Sequence, residues 1–174
     1  MKPVNRIVLI GMFTAVNVAS RLFLQFLPNV KPITSIIILS TIAFGLTFGI
    51  ELALATVLVA GLLFGFGTFI PFQILAWVLI ALCTYFLDRL LTDRKIMLFA
   101  LWTFLCGYIY GFFVSIDKLL ISPAYFWAYY LNGLTFDTFH AVGNLVFYPL
   151  CYRVLLPLFR RYSAQPGFMR DRPA

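Results

Sequence analysis

The hydrophobic residues of this chain fall into six long runs, separated by short segments rich in glycine, proline or charged residues. No run alternates strictly between apolar and polar residues, and this excludes an outer-membrane β-barrel. Apolar runs of this length are typical of transmembrane helices. The pattern predicts an all-α integral membrane bundle of six transmembrane helices, over residues 4–27, 33–48, 50–66, 72–91, 96–116 and 136–159.

The connections between these runs set the predicted domain organisation. A turn-rich break at 28–32 follows the first run, and a longer connection at 117–135 carries Pro123 and several aromatic residues. Pro149 and Pro157 predict kinks in the last helix. A signal peptide is the competing interpretation of the first run, but its apolar stretch is too long and no cleavage site follows. We expect one transmembrane domain over 1–162 and a short basic cytoplasmic tail over 163–174.

Composition supports this class and narrows the chemistry. The 174 residues are 63% hydrophobic and 18% aromatic, only 11% are charged, and the mean hydropathy is +0.98. A water-soluble domain of this size could not bury so much apolar surface. Each of the three cysteines lies inside an apolar run without metal-ligand spacing, so we expect neither a disulfide nor a metal site.

The net charge of +7 does not indicate nucleic-acid binding, because the basic residues gather at the predicted membrane edges. With a cytoplasmic N-terminus, the outer side holds only Lys31 and Lys118, and Arg21 lies inside the first span. Both termini are therefore expected in the cytoplasm. The other ten basic residues lie on the cytoplasmic side or in the tail: Lys2, Arg6, Arg89, Arg94, Lys95, Arg153, Arg160, Arg161, Arg170 and Arg172.

Small residues recur at every fourth position of the first run, at Gly11, Ala15 and Ala19. Successive members rotate by only about 40° around a helix, so the three form one ridge. We call this ridge the small-residue stripe. Small residues let another helix approach closely in lipid, where helices associate mainly through packing. The spacing is consistent with a contact inside the bundle or with a docking surface for a partner protein.

Few polar residues lie within the spans. Asn17 and Arg21 share a face of the first helix about 120–160° away from the small-residue stripe. A charged residue within a membrane span usually has a function, pairs with an opposite charge, or extends to the lipid headgroups. Any of these three roles is open for Arg21. Asp137, His140 and Asn144 form a polar face on the last helix, which predicts substrate hydrogen bonding or a satisfied core contact.

Gln73 and Trp77 lie four residues apart at the start of the fourth span and combine an amide with a stacking surface. Asp137 and His140 leave an intramembrane acid–base enzyme open. However, no Ser or Cys nucleophile lies in a recognisable motif, and no phosphate-binding loop is present. The polar residues gather at one end of the bundle, which favours an outward-open binding pocket over a continuous pore.

Several segments together resemble the substrate-binding S component of an energy-coupling factor (ECF) transporter. The resemblance covers nearly the whole chain. The matching residues are Ala15-x-x-x-Ala19 in the first span, the Pro-Asn-Val-Lys-Pro loop at 28–32, the stretch 65–73 followed by Ala76-Trp77, and Phe136-Asp137 with His140 and Gly143-Asn144.

This resemblance implies the S-component fold, with six helices that capture a vitamin from outside a bacterial cell membrane. It assigns the docking role to Ala15 and Ala19, with Gly11 extending the surface. The docking partner would be an ECF transmembrane coupling protein, driven by two cytoplasmic ATPase subunits. This chain would hold no cofactor, because the ATPases use the ATP. The loop after the first span would act as a lid over the pocket, involving Asn29, Val30 and Lys31.

The expected substrate-binding residues are Arg21, Asn29, Lys31, Gln73, Trp77, Asp137, His140 and Asn144. Aromatic residues with a few hydrogen-bonding groups suit a flat heteroaromatic ligand. A hydroxymethylpyrimidine or pyridoxine type of compound is favoured, and the resemblance leaves cobalamin open. Two alternatives from other classes stay open. One is an autonomous proton-coupled secondary transporter, and the other is a small intramembrane enzyme that uses Asp137 and His140.

Overall fold

A computed structural model of the chain describes residues 3–91 and 96–163, with side chains through residue 159. The described residues form six α-helices and one 3₁₀-helix, with no strand among them. In chain order these are α1 (Pro3–Phe23), α2 (Ile33–Phe44), α3 (Leu46–Phe64), α4 (Ile70–Leu90), α5 (Ile96–Ser115), the 3₁₀-helix Ile116–Leu120 and α6 (Pro123–Ser163).

Five of these helices are long and apolar enough to cross a membrane, and α2 is the shorter exception. Large apolar side chains cover their outer surfaces, as at Ile7, Leu62 and Met97, each at least 70% exposed. An apolar surface of this extent suits contact with lipid rather than water. The described chain is therefore all-α and has the helices of a multi-pass membrane protein, as expected from the sequence.

The short helix α2 lies at the centre of the bundle. All twelve of its residues are buried, and it contacts each of the other five α-helices. Twelve residues span only about 18 Å. The predicted extension to residue 48 is wrong, because the chain turns at Gly45, whose φ of 96° favours glycine, and α3 begins at Leu46 instead of residue 50. Because protein surrounds α2, its length need not match a bilayer.

Helices α1 and α3 run in the same direction, and polar contacts connect them along their length. Near the start of both helices, the Arg6 guanidinium donates to both carboxylate oxygens of Glu51, at 2.7 and 2.9 Å. Farther along, the Asn17 amide donates to Thr56 Oγ1 at 3.0 Å. Since α1 and α3 are parallel, α2 must return the chain across the bundle between them.

The last helix begins earlier than the sequence predicted. Residues 123–135 were expected to belong to a connection, but they form the first turns of α6, which runs through Pro149 and Pro157. Ser122 Oγ accepts a hydrogen bond from the Tyr125 backbone N–H at 3.1 Å. A serine cap followed by proline at the first helical position starts a helix well, because the cap pairs an otherwise free N–H.

Helices α5 and α6 make the most extensive contact of any helix pair in the described structure. An ideal Cβ at Gly107 would lie 2.6 Å from both the Cα and the backbone nitrogen of Ala141. Only glycine permits this approach without a shift of the backbone. The Asn144 amide also donates to the Thr103 carbonyl at 3.0 Å, across the same contact.

Part of the predicted topology lies outside the described residues. This applies to the tail from residue 164 onward, with Arg170 and Arg172, and to Lys2, Arg94 and Lys95. The side chains of Arg160 and Arg161 also lie outside the described part of the chain. The predicted boundary of the domain at 162 falls within the last turn of α6, which continues to Ser163.

Candidate functional site

A polar pocket opens at the end of the bundle opposite the N-terminus of α1, and we call this end the pocket end. Six of the eight predicted substrate-binding residues line this pocket, together with Ile33 and Tyr110. They come from α1, the loop after it, α4 and α6. The six predicted residues are Arg21, Asn29, Lys31, Gln73, Trp77 and His140.

A chain of hydrogen bonds across three helices fixes the floor of the pocket. The Trp77 indole Nε1–H donates to Thr34 Oγ1 at 3.2 Å, and Thr34 Oγ1 lies 3.1 Å from His140 Nε2. All three side chains are buried. His140 Nδ1 is also buried and has no partner among the described residues. This ring nitrogen is a buried hydrogen-bonding group that the described protein leaves unpaired.

Tyr110 joins the other side of the pocket to the same floor. Its hydroxyl accepts a hydrogen bond from the Gln73 side-chain amide, so the hydroxyl proton is free to be donated elsewhere. Its ring lies 5.0 Å from the Trp77 ring and meets the His140 ring edge-on at 5.1 Å. The aromatic surfaces therefore lie beside the polar groups, as flat heteroaromatic ligands require.

The mouth of the pocket carries two cations. The Arg21 guanidinium stacks over the Phe64 ring at 5.0 Å, and Lys31 lies partly buried nearby. Burial, and then the Arg21 charge, lower the pKa of Lys31 below its ordinary value. Asn29 holds the loop in place through its amide, which donates to the Phe136 carbonyl at 3.1 Å. Its φ of 57° is a left-handed conformation that asparagine tolerates.

A second, larger cavity adjoins the polar pocket and shares Asn29 and Tyr110 with it. The early turns of α6 form much of its wall, including Tyr125, Tyr129 and Asp137. Its volume is about 570 Å³, against about 40 Å³ for the polar pocket. The polar pocket thus has room for a few waters, whereas the larger cavity is in the range of small-molecule sites.

Not every predicted residue reaches these cavities. Asn144 is fully buried between α5 and α6 and lines neither of them, and Asp137 lines the larger cavity instead of the polar pocket. Asn17 is also fully buried and contacts α3, so only Arg21 of that pair faces the pocket. Among the described residues, no three His, Cys, Asp or Glu side chains group closely enough to hold a metal ion.

Thr34 and Tyr110 are the site residues that the sequence analysis missed. Each lies inside an apolar run without a polar neighbour at helical spacing, so no local pattern identifies it. Their roles come from contacts between helices. A weak signal exists for Tyr110, because a tyrosine placed in an apolar span needs a partner for its hydroxyl.

The small-residue stripe faces away from the bundle. Gly11 and Ala15 are exposed, Ala19 is partly exposed, and a Cβ added at Gly11 would meet no described atom within 4 Å. Among the five long helices, α1 is also the least buried. Within the described residues the stripe is therefore not an internal packing contact.

Comparison of the chain with known protein families, with curated proteins and with solved structures gives no match. The functional argument therefore depends on the geometry of the two cavities and on the exposed face of α1.

Proposed function

We propose that this protein is the substrate-binding S subunit of an ECF-type transporter. In this role it captures a vitamin or vitamin precursor on the outer side of a bacterial cell membrane. The observation that carries the proposal is the convergence of six predicted binding residues, from separate parts of the chain, on one pocket. Such convergence on a polar site between apolar helices is typical of ligand binding, because unpaired polar groups are otherwise rare in a membrane.

The two adjoining cavities support a ligand with one polar end and a larger apolar or aromatic part. The polar end meets the residues of the polar pocket, which include His140 and Tyr110 with its free hydroxyl proton. The remainder occupies the larger cavity of about 570 Å³. This volume suits a hydroxymethylpyrimidine or pyridoxine type of compound better than the much larger cobalamin.

The exposed stripe on α1 supports the second half of the proposal, which is docking on a transmembrane coupling protein. Gly11 and Ala15 are exposed and have no large side chain, so a partner helix can approach α1 closely at this face. Two cytoplasmic ATPase subunits act through that coupling protein and use the ATP, so this chain needs no cofactor of its own. The pocket end then faces outward, and both termini lie in the cytoplasm.

The geometry gives less support to the two alternative functions. An intramembrane enzyme would need Asp137 and His140 to act on one substrate atom. His140 instead contacts Thr34 in the polar pocket, while Asp137 lies on the wall of the larger cavity. A proton-coupled transporter would use Arg21, Asp137 and His140 together, and Arg21 shares a cavity only with His140.

The proposal is tested by thermal stabilisation of the purified chain with hydroxymethylpyrimidine, pyridoxine and cobalamin. A ligand present at 100 times its Kd adds about 2.7 kcal/mol, which raises Tm by roughly 5–11 °C for a chain of this size. We expect Trp77→Phe to weaken this response. Trp102→Phe is the matched control, because Trp102 also donates to a threonine, Thr84, but lines neither cavity. No stabilisation by any of the three compounds, or equal loss in both variants, contradicts the proposal.

A further inference from the structure

The larger cavity contains a carboxylate without a partner. Asp137 is only 6% exposed, and it makes no hydrogen bond or ion pair with any other described residue. Asp117, the other buried carboxylate at the pocket end, does have partners. Asp117 accepts hydrogen bonds from Lys118 Nζ and from Thr68 Oγ1, both at 2.9 Å. A positive charge therefore accompanies Asp117 but not Asp137.

The fold makes room for the Asp137 side chain at one position of α5. A Cβ added at Gly111 would overlap all three atoms of the Asp137 carboxyl group. The carboxyl group thus lies against the bare backbone of Gly111, and both residues line the cavity. Burying an unpaired carboxylate in a membrane protein costs free energy. Asp137 is therefore a candidate functional residue, and we ask which group pairs with it.

The walls around Asp137 indicate the chemistry of that partner. Aromatic rings of Tyr110, Tyr125, Tyr129 and Phe136 line the same cavity. Ring faces attract cations, and they do so more strongly when water is excluded. The two basic residues of the neighbouring pocket, Arg21 and Lys31, do not line this cavity. Lys118 Nζ lies 4.8 Å from the centroid of the Tyr129 ring, but it pairs with Asp117 and does not line the cavity. An acidic group among aromatic rings, with no protein cation paired to it, is the environment that an organic cation prefers.

We propose that the larger cavity binds an organic cation, a protonated amine, with Asp137 as its counter-ion. The inference deepens the proposed function, since it names the charge of the substrate that the transporter captures. The ligand's cationic group lies beside Asp137, and its aromatic part packs against the tyrosine rings.

Pyridoxamine and pyridoxine test this inference as a matched pair of probes. They have nearly the same size and shape, and near neutral pH only pyridoxamine carries a protonated aminomethyl group. Binding to the purified full chain is measured by calorimetry. We expect pyridoxamine to bind about tenfold more tightly or better, the ratio that about 1.4 kcal/mol gives. Asp137→Asn should remove this preference, whereas the control Asp117→Asn should keep it.

A second variant covers the case in which Asp137→Asn does not fold. Gly111→Ala keeps the charge but displaces the carboxyl group, so the preference for pyridoxamine should fall as well. Equal binding of the two compounds, a preference for pyridoxine, binding of neither, or a preference that survives both variants overturns the inference.

Failure of the proposed transporter function can be told apart from failure of the cation site. The calorimetric measurement uses the purified chain alone, so it does not depend on docking to a coupling module. If the chain fails to associate with such a module but keeps an Asp137-dependent preference for the amine, the transporter assignment is wrong and the cation site stands.

Discussion

The close contact of α5 and α6 predicts a large effect for a very small substitution, Gly107→Ala. The added Cβ would lie 2.6 Å from the Cα and the backbone nitrogen of Ala141, and ordinary contacts begin near 3.4 Å. The two helices must therefore separate by about 0.8 Å, because no flexible side chain can move aside. Overpacking of this kind destabilises a protein by about 1–3 kcal/mol.

The separation also changes the site. Tyr110 lies one turn beyond Gly107 on α5, and its ring meets the ring of His140 on α6. We expect Gly107→Ala to lower the ligand affinity as well as the stability. The assay is thermal unfolding of the purified protein with and without ligand. A loss of about 1–3 kcal/mol lowers Tm by roughly 2–12 °C at this chain length.

Gly11→Ala is the matched control for this prediction. Gly11 is also helical, but a Cβ there meets nothing within 4 Å. Alanine is a better helix former than glycine by up to about 1 kcal/mol. Tm should therefore stay constant or rise. If Gly107→Ala and Gly11→Ala gave the same Tm, the close α5–α6 contact and the argument from it would be refuted.

Three further predictions concern the pocket and the docking face. Thr34→Val removes the hydroxyl that contacts both Trp77 and His140, and it should lower the free energy of unfolding by about 1–3 kcal/mol. Thr34→Ser keeps a hydroxyl and should lose much less stability. Equal losses of Tm in the two variants would contradict these hydrogen bonds. Because burial and Arg21 lower the Lys31 pKa, the folded state binds fewer protons than the unfolded state in the pH window between that lowered pKa and 10.5. The stability of the wild-type protein should thus rise with pH in that window, and any Tm advantage of Lys31→Gln should shrink as the pH approaches 10.5. A difference in Tm between the two proteins that stays constant with pH would contradict the burial of the Lys31 charge. Ala15→Trp should abolish co-purification with the coupling protein but keep ligand binding, whereas Leu62→Trp, at an exposed position of α3, should keep both.

The long spans were predictable because their apolar runs have the length of a transmembrane helix, which few helices of soluble proteins need. The start of α6 was missed because Pro123 and the aromatic residues after it look like a connection at the membrane surface. Ser122 and Pro123 form the cap and first position of a helix, and this signal was present in the sequence. The corner between α2 and α3 was predicted from Gly45 and Gly49, but its boundary was placed too late, because the apolar run continues past Gly45, where the backbone turns.

The site was predictable where its residues repeat along one helix. Gln73 and Trp77 lie four residues apart and both reach the polar pocket. The same spacing fails for His140 and Asn144, because Asn144 lies one turn deeper and its amide contacts the carbonyl of Thr103. Contacts between helices, such as that of Thr34 with His140, depend on packing that no local pattern records. Sequence periodicity therefore identifies the face of a helix but not its partner.

Uptake into proteoliposomes tests the central claim most directly. Vesicles receive this chain either alone or with a transmembrane coupling protein and its two ATPases, and the labelled compound that stabilises the purified chain is supplied outside. The account predicts that accumulation requires the complete assembly and ATP inside the vesicles, and that Trp77→Phe reduces it while Trp102→Phe does not. Accumulation by this chain alone, driven by a proton gradient without ATP, would contradict it.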